Sequence, residues 1–233
     1  MNHSVLEKLL EPQKHTTMAE SVYLSIRQLL LTGKIPPGER VTLRGLAKAL
    51  GTSSMPVREA ITQLVNDGAL EVLPNRMVRV FKPKLSEFQE IVKLRCCLEG
   101  FAAKEAVPKI NEDSIQIIKS HVEKFYQLAH SESIDASAII MANRVIHFEL
   151  YASAEMPRLV KLIENLWTQI GSVFALSMDI AKRNVVDWEA FQHHERLVKG
   201  LKSGDADEVK AAVIDDILHA SIFIQSVAEL EEG

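Results

Sequence analysis

The chain has only two cysteines among its 233 residues, and they are neighbours, Cys96 and Cys97. Adjacent cysteines do not readily bridge each other, so no disulfide framework holds this fold and both are expected to be reduced helix residues. No apolar run approaches the roughly 18 residues of a membrane-spanning helix. The first residues carry charges and Pro12 but no long apolar stretch, which argues against a signal peptide and for a cytoplasmic protein. Repeats and low-complexity segments are also missing. So is a glycine-rich phosphate loop, which removes one common basis for enzyme chemistry. Hydrophobic residues make up 47% of the chain, enough for one large core or two small ones.

The net charge of −4 argues against a nucleic-acid partner only if it is spread evenly. It is not. Residues 1–84 hold 12 Lys and Arg against 7 Asp and Glu, whereas residues 85–233 hold 15 against 24. A basic head and an acidic body imply two domains with different partners, the head suited to phosphate contact.

The head has a clear pattern. In residues 41–67, Leu43, Leu46, Ala47 and Leu50 repeat at helical spacing, and Val57, Ala60, Ile61, Leu64 and Val65 do so again. Gly51 suits a left-handed helix end, Ser53 or Ser54 a cap, and Pro56 a first helical turn. Two short helices around a tight turn form a helix-turn-helix, whose second helix exposes Ser54, Met55 and Arg58 where major-groove contacts are made. An amphipathic helix ending at Leu31 and Gly33 completes a three-helix core. Alternating apolar residues in 69–73 and 78–81, joined by Pro74-Asn75-Arg76-Met77, predict a β-hairpin wing with Arg76 at its tip. Arg44 and Arg58 also fit a second reading as surface residues paired with Glu39 or Glu59.

From residue 86 onward only helical patterns occur. Six helices are predicted over 86–107, 111–131, 134–153, 157–180, 184–203 and 205–228, with Pro108, Pro157 and Gly204 at three of the joins. The expected fold is therefore mainly α: a winged helix-turn-helix over residues 16–82 after a flexible 1–15, then an all-α six-helix antiparallel bundle over 83–233.

Asn143 and His147 share one helix face at i, i+4, and His194 and His219 lie on two later helices. Imidazoles from separate helices of a bundle, plus one oxygen, suit Zn²⁺ or Ni²⁺. His194 is preferred to His193 because Leu197 then falls on the adjoining core position. His121 and His130 read as surface residues.

Several short motifs give the chain a family resemblance. Arg27, Gly33, Pro37-Gly38, Leu46-Ala47, Leu50-Gly51, Pro56-Val57-Arg58-Glu59-Ala60, Asp67-Gly68 and Pro74-Asn75-Arg76 resemble the winged helix of GntR-family bacterial transcription regulators. Leu94-Arg95, Leu98-Glu99 and Ala102-Ala103 resemble the opening helix of the FCD effector domain. The resemblance covers roughly residues 16–225. It implies a homodimer on a palindromic operator in double-stranded DNA, released or rearranged by a small effector. Carried over, the DNA contacts fall on Arg44, Ser53, Arg58 and the wing at Asn75 and Arg76. Ser54 stands where the family usually has Arg, and Met77 where it usually has Gly. Many FCD domains hold a divalent metal through an Asp-x-x-x-His pair and two further histidines. Asn143, His147, His194 and His219 match these, with Asn replacing Asp. A small carboxylate often completes such a site, and Arg95 is the candidate second anchor for it, its other reading being a salt bridge to Glu99. Because an amide brings no charge, three neutral imidazoles with Asn143 would leave the metal near +2 and in need of an anion. The competing readings are a sensor of the metal itself, a metal-free effector domain, and a metal-dependent hydrolase.

Overall fold

The computed structural model describes residues 17–131, 135–180, 190–228 and 230. The expected flexible segment 1–15 and the predicted helix start at residue 184 lie outside these. Among the described residues the order is α1 (Met18–Leu31), β1 (Arg40–Val41), α2 (Leu43–Ala49), α3 (Ser54–Asn66), β2 (Leu70–Val72), β3 (Val78–Val80), α4 (Leu85–Ala106), α5 (Glu112–Ala129), α6 (Ala136–Ala152), α7 (Pro157–Ile180), α8 (Ala190–Ser203) and α9 (Ala206–Val227).

In the head, α2 starts at Thr42, whose hydroxyl accepts from the Gly45 amide, and the turn after it passes through Gly51 at φ +63°. An L side chain is strained there, so glycine ends the helix and turns the chain into α3. Ile26 and Leu30 of α1, Leu46 of α2 and Val57, Ile61 and Leu64 of α3 close one small core. The wing carries one strand more than the hairpin pattern predicts. β1 pairs antiparallel with β3, which also pairs with β2, giving the order β1-β3-β2. Two residues are too few to show alternation, so β1 leaves no periodic trace in the sequence.

The body is the expected bundle. α4 packs along α9, α9 on α8, α5 on α6 and α8, and α7 on α4 and α6. Its core runs from Phe88 through Ile118, Ile146 and Ile163 to Val213 and Ile224. Leu31 is the exception in placement: it belongs to α1 of the head, yet it packs in the core of the body. Elsewhere the two units meet mainly through polar groups along α7. Arg27 Nε donates to Thr168 Oγ1 at 3.1 Å, and both Arg27 and Arg144 reach Glu164 Oε1 at 3.1 Å. Lys161 Nζ donates to the Tyr23 hydroxyl, while Asn165 and Gln169 donate to Asp67.

Candidate metal centre and DNA-reading face

Three side chains from three helices converge inside the bundle. His147 of α6, His194 of α8 and Asp216 of α9 each offer a ligand atom, and those atoms all lie within 4.8 Å of one another. All three residues are buried. His147 Nε2 meets Asp216 Oδ2 at 3.0 Å, and His194 Nε2 lies 3.9 Å from Asp216 Oδ1. The edge of Phe125 packs on the His194 ring, with centroids 5.0 Å apart.

The histidine orientation is set by a second layer of polar groups. His147 Nδ1 lies 3.0 Å from the Tyr151 hydroxyl, and that hydroxyl donates to Glu99 Oε2 at 2.7 Å. Trp167 Nε1 donates to the same oxygen at 2.9 Å, while Arg95 Nε donates to Glu99 Oε1 at 2.6 Å. The Arg95 guanidinium also lies over the Trp167 ring, 4.5 Å from its centroid. Burial alone would lower the Arg95 pKa, but Glu99 more than offsets this and raises it. Burial and then Glu99 push the Tyr151 hydroxyl well up, so it stays a proton donor.

The polar atoms of this site are under-used. Asn143 Oδ1, both ring nitrogens of His194 and Asp216 Oδ1 are buried with no hydrogen-bond partner. Buried polar groups are normally satisfied, and four such atoms at one place are what an absent cation or water would explain. Beside them is a mostly enclosed cavity of about 20 Å³, lined by Asn143, Asp216, Arg95 and Trp167 on its polar side. That is room for a water molecule or an ion. Two imidazoles, a carboxylate and an amide oxygen make a donor set that fits Zn²⁺ or a similar divalent ion.

Burial lowers the His194 pKa to about 4, which keeps the imidazole neutral and its lone pair free for a metal. The sign of the resulting pH dependence follows. Above pH 6.5 both folded and unfolded imidazoles are neutral, and this residue contributes no pH dependence. Between 6.5 and 4 only the unfolded chain takes up the proton, so stability falls as the pH falls, by up to about 3 kcal/mol. Urea unfolding with a chelator present, at pH 7.5 and pH 5, should show about 2 kcal/mol of this loss, and His194→Leu should abolish most of it. A flat profile would place the imidazole in solvent.

The expected ligand set is corrected at one position. The structure brings His147 and His194 together but with Asp216, not His219. The His219 ring instead meets His193, whose Nε2 lies 2.5 Å from His219 Nδ1, and Arg196 Nη1 approaches His193 Nδ1 at 3.4 Å. The reason is helical phase. Val209, Ala212, Val213, Ile217 and Ile224 are the buried stripe of α9, and Asp216 falls on it. His219 does not. An acidic residue on an apolar stripe was the available signal. Asn143 sits at the site with its oxygen unpartnered, one turn from His147. Arg95 is ion-paired with Glu99, as its second reading has it, and it also lines the cavity.

The DNA-side candidates all lie on the surface of the head. Ser53, Ser54, Met55 and Arg58, at the start of α3, are all exposed, as are Arg44 on α2 and Asn75 and Arg76 at the wing tip. Ser53 holds the N-cap position but makes no capping bond. Neither Arg44 nor Arg58 is held by a carboxylate among the described residues, so the pairing with Glu39 or Glu59 does not occur. At the wing tip, Asn75 Oδ1 accepts from the Met77 amide, and Arg76 adopts φ +62°. The left-handed residue is therefore the arginine itself, not the position where the family usually has glycine.

Comparison with known proteins places this architecture. Residues 18–80 match the bacterial regulatory proteins of the gntR family, and residues 90–219 match the FCD domain. The chain is 32% identical over 158 residues to the HTH-type transcriptional regulator McbR of Escherichia coli, covering 68% of this chain and 71% of that one. It is 25% identical over 211 residues to the regulator YdhC of Bacillus subtilis, covering 91% and 92%. A solved structure of E. coli McbR/YncC superposes with a TM-score of 0.83 at 25% identity, covering 92% of this chain and all (100%) of that chain. The homologues are transcription regulators, not enzymes, and no described helix is long and apolar enough to cross a membrane. The chain belongs to the GntR family of bacterial transcription regulators, with an FCD domain as its body.

Proposed function

We propose that this regulator controls its hold on operator DNA through a small carboxylate bound at a metal-containing pocket in the bundle. In this reading residues 16–82 read DNA and residues 83–233 hold the effector and the second subunit of a homodimer. Arg58, Ser54, Met55 and Ser53 enter the major groove of one half of a palindromic site. Arg44 contacts the backbone, and Asn75 and Arg76 reach from the wing. His147, His194 and Asp216 hold Zn²⁺ or Ni²⁺, with the Asn143 oxygen as fourth donor. Arg95 faces the cavity where a carboxylate would approach the metal. The observation that carries this reading is the set of four unpartnered buried polar atoms on Asn143, His194 and Asp216, two of which residues, Asn143 and Asp216, also line the small cavity.

The small volume of that cavity favours a second reading, in which the metal alone is the signal. One experiment separates them. The melting temperature is followed with chelator, with zinc or nickel, and with metal plus a panel of small di- and hydroxy-carboxylates. Metal at 100 times its Kd should stabilise the fold by about 2.7 kcal/mol, and an effector should add to that only when metal is present. A metal response with no carboxylate response supports the metal sensor. No metal response rejects both.

A further inference from the structure

The cavity beside the metal-ligating residues is closed on one side by the DNA-binding unit. Its lining comes from α4, α6, α7 and α9 of the bundle, with a single outside contribution, Leu31 at the end of α1. Leu31 is 3% exposed and packs against body residues. At about 20 Å³ the closed cavity holds an ion or a water but no organic molecule. Any ligand bulkier than that requires one wall to move. The bundle walls are locked by close-packed helices and, around Arg95 and Glu99, by a buried ion pair. Leu31 is held differently. It sits on a separate unit with its own core, docked along α7 through a set of buried and half-buried polar contacts.

Two glycines show how tightly α1 is seated. A Cβ added at Gly171 of α7 would lie 2.9 Å from Leu31 Cα and 3.2 Å from Leu31 Cδ2. A Cβ on Gly33, just after α1, would collide with Ala175 of the same helix. The backbones of the head and of α7 therefore touch at the cavity with no slack between them. The docking also carries a charge imbalance. Arg27 and Arg144 share the one carboxylate of Glu164, and Arg144 Nε is buried without a hydrogen-bond partner. The head is thus held by contacts that leave part of their hydrogen-bonding capacity unused.

We infer that the effector site is composite: Leu31 of the DNA-binding unit is its movable wall, and a ligand larger than the ion makes room by displacing α1. The inference rests on the proposed ligand site in the bundle. It specifies the ligand as a carboxylate with an aliphatic portion, because the wall it meets is Leu31 together with Phe174 and Ile224. Ligand size is then read by the same helix that underpins the helix-turn-helix, so filling the cavity and repositioning the head are one event.

Hydrogen exchange on the full-length protein tests this without knowing the ligand. Gly171→Ala supplies the extra volume at the wall. It should speed exchange of the amides at residues 29–34 by about tenfold or more while α5 and α6 keep their protection. Leu31→Ala removes the wall contact from the other side and should loosen the same amides, so the test survives if the glycine variant does not fold. Gly100→Ala presses only on the Ile214 side chain, between α4 and α9, and should leave residues 29–34 unchanged. Zinc alone fits the existing space and should also leave them unchanged. Unaltered exchange at residues 29–34 in both Gly171→Ala and Leu31→Ala would overturn the inference, as would an equal rise across the whole bundle. Failure of zinc to bind would instead remove the metal reading, while the variants still decide whether Leu31 is the wall.

Discussion

Glu99→Ala is expected to destabilise the protein by about 3–5 kcal/mol. The carboxylate is fully buried and takes hydrogen bonds from three partners, Arg95, Tyr151 and Trp167. Removing it leaves a buried guanidinium with no counter-charge, which is the costly half of breaking a buried ion pair. It also leaves the buried Trp167 indole N–H without its acceptor, at about 1–3 kcal/mol before relaxation, while the Tyr151 hydroxyl keeps His147 Nδ1 at 3.0 Å. Whole domains are stable by only about 5–15 kcal/mol, so the variant should sit near the edge of folding. Glu99→Gln keeps an acceptor in place and should lose less. Urea denaturation with both variants measures the difference. A loss below about 1 kcal/mol for Glu99→Ala would mean that Arg95 escapes to solvent, contrary to its buried position over Trp167.

The second large effect is on metal affinity. Asp216→Asn should weaken zinc binding by about a hundredfold or more, since changes merely adjacent to a metal's ligands already cost roughly 10–100-fold. The folded state without metal should lose some stability too, because Asp216 Oδ2 lies 3.0 Å from His147 Nε2, so zinc affinity is read on variant protein shown to be folded. His219→Ala is the matched comparison and should leave zinc affinity unchanged. Competition with a chromogenic chelator reads both. Equal losses in the two variants, or a loss confined to His219→Ala, would restore the three-imidazole site.

This pair of variants marks the boundary of what the sequence makes legible. The helix-turn-helix was readable because each of its signals is local: apolar residues at helical spacing, Gly51 at a left-handed turn, Pro56 in a first turn. The helices of the body were readable for the same reason, and every predicted end except the start at 184, which lies outside the described residues, falls within a few residues of its observed position. The candidate metal centre depends on contacts that skip 47 residues between His147 and His194 and 22 between His194 and Asp216. No local pattern encodes those. Histidine drew the reading to His219 because imidazole is the more recognisable ligand, although helical phase places Asp216 inward. The correction changes the electrostatics as well. With Asp216 as a ligand the site carries one negative charge of its own, so the demand for an anionic effector inferred from Asn143 no longer follows from charge alone. The role of Leu31 was hidden for a further reason. In the sequence it marks only the end of an amphipathic helix, and only packing shows that it belongs to the body.

The short strand β1 has a consequence for how an operator can vary. It ties the chain entering α2 to β3, with Arg40 opposite Arg79 and Val41 opposite Val78. Gly38 N–H donates to Val80 O and Val80 N–H to Glu39 O, which stitches the same strand from both sides. The wing is therefore no free flap. Its tip at Asn75 and Arg76 stands at a fixed offset from Arg58, as two teeth stand on one key. On the proposed DNA face, an inserted base pair inside a half-site puts one tooth out of step, and no local motion of the wing recovers it. An insertion between half-sites leaves the two teeth of each key in step.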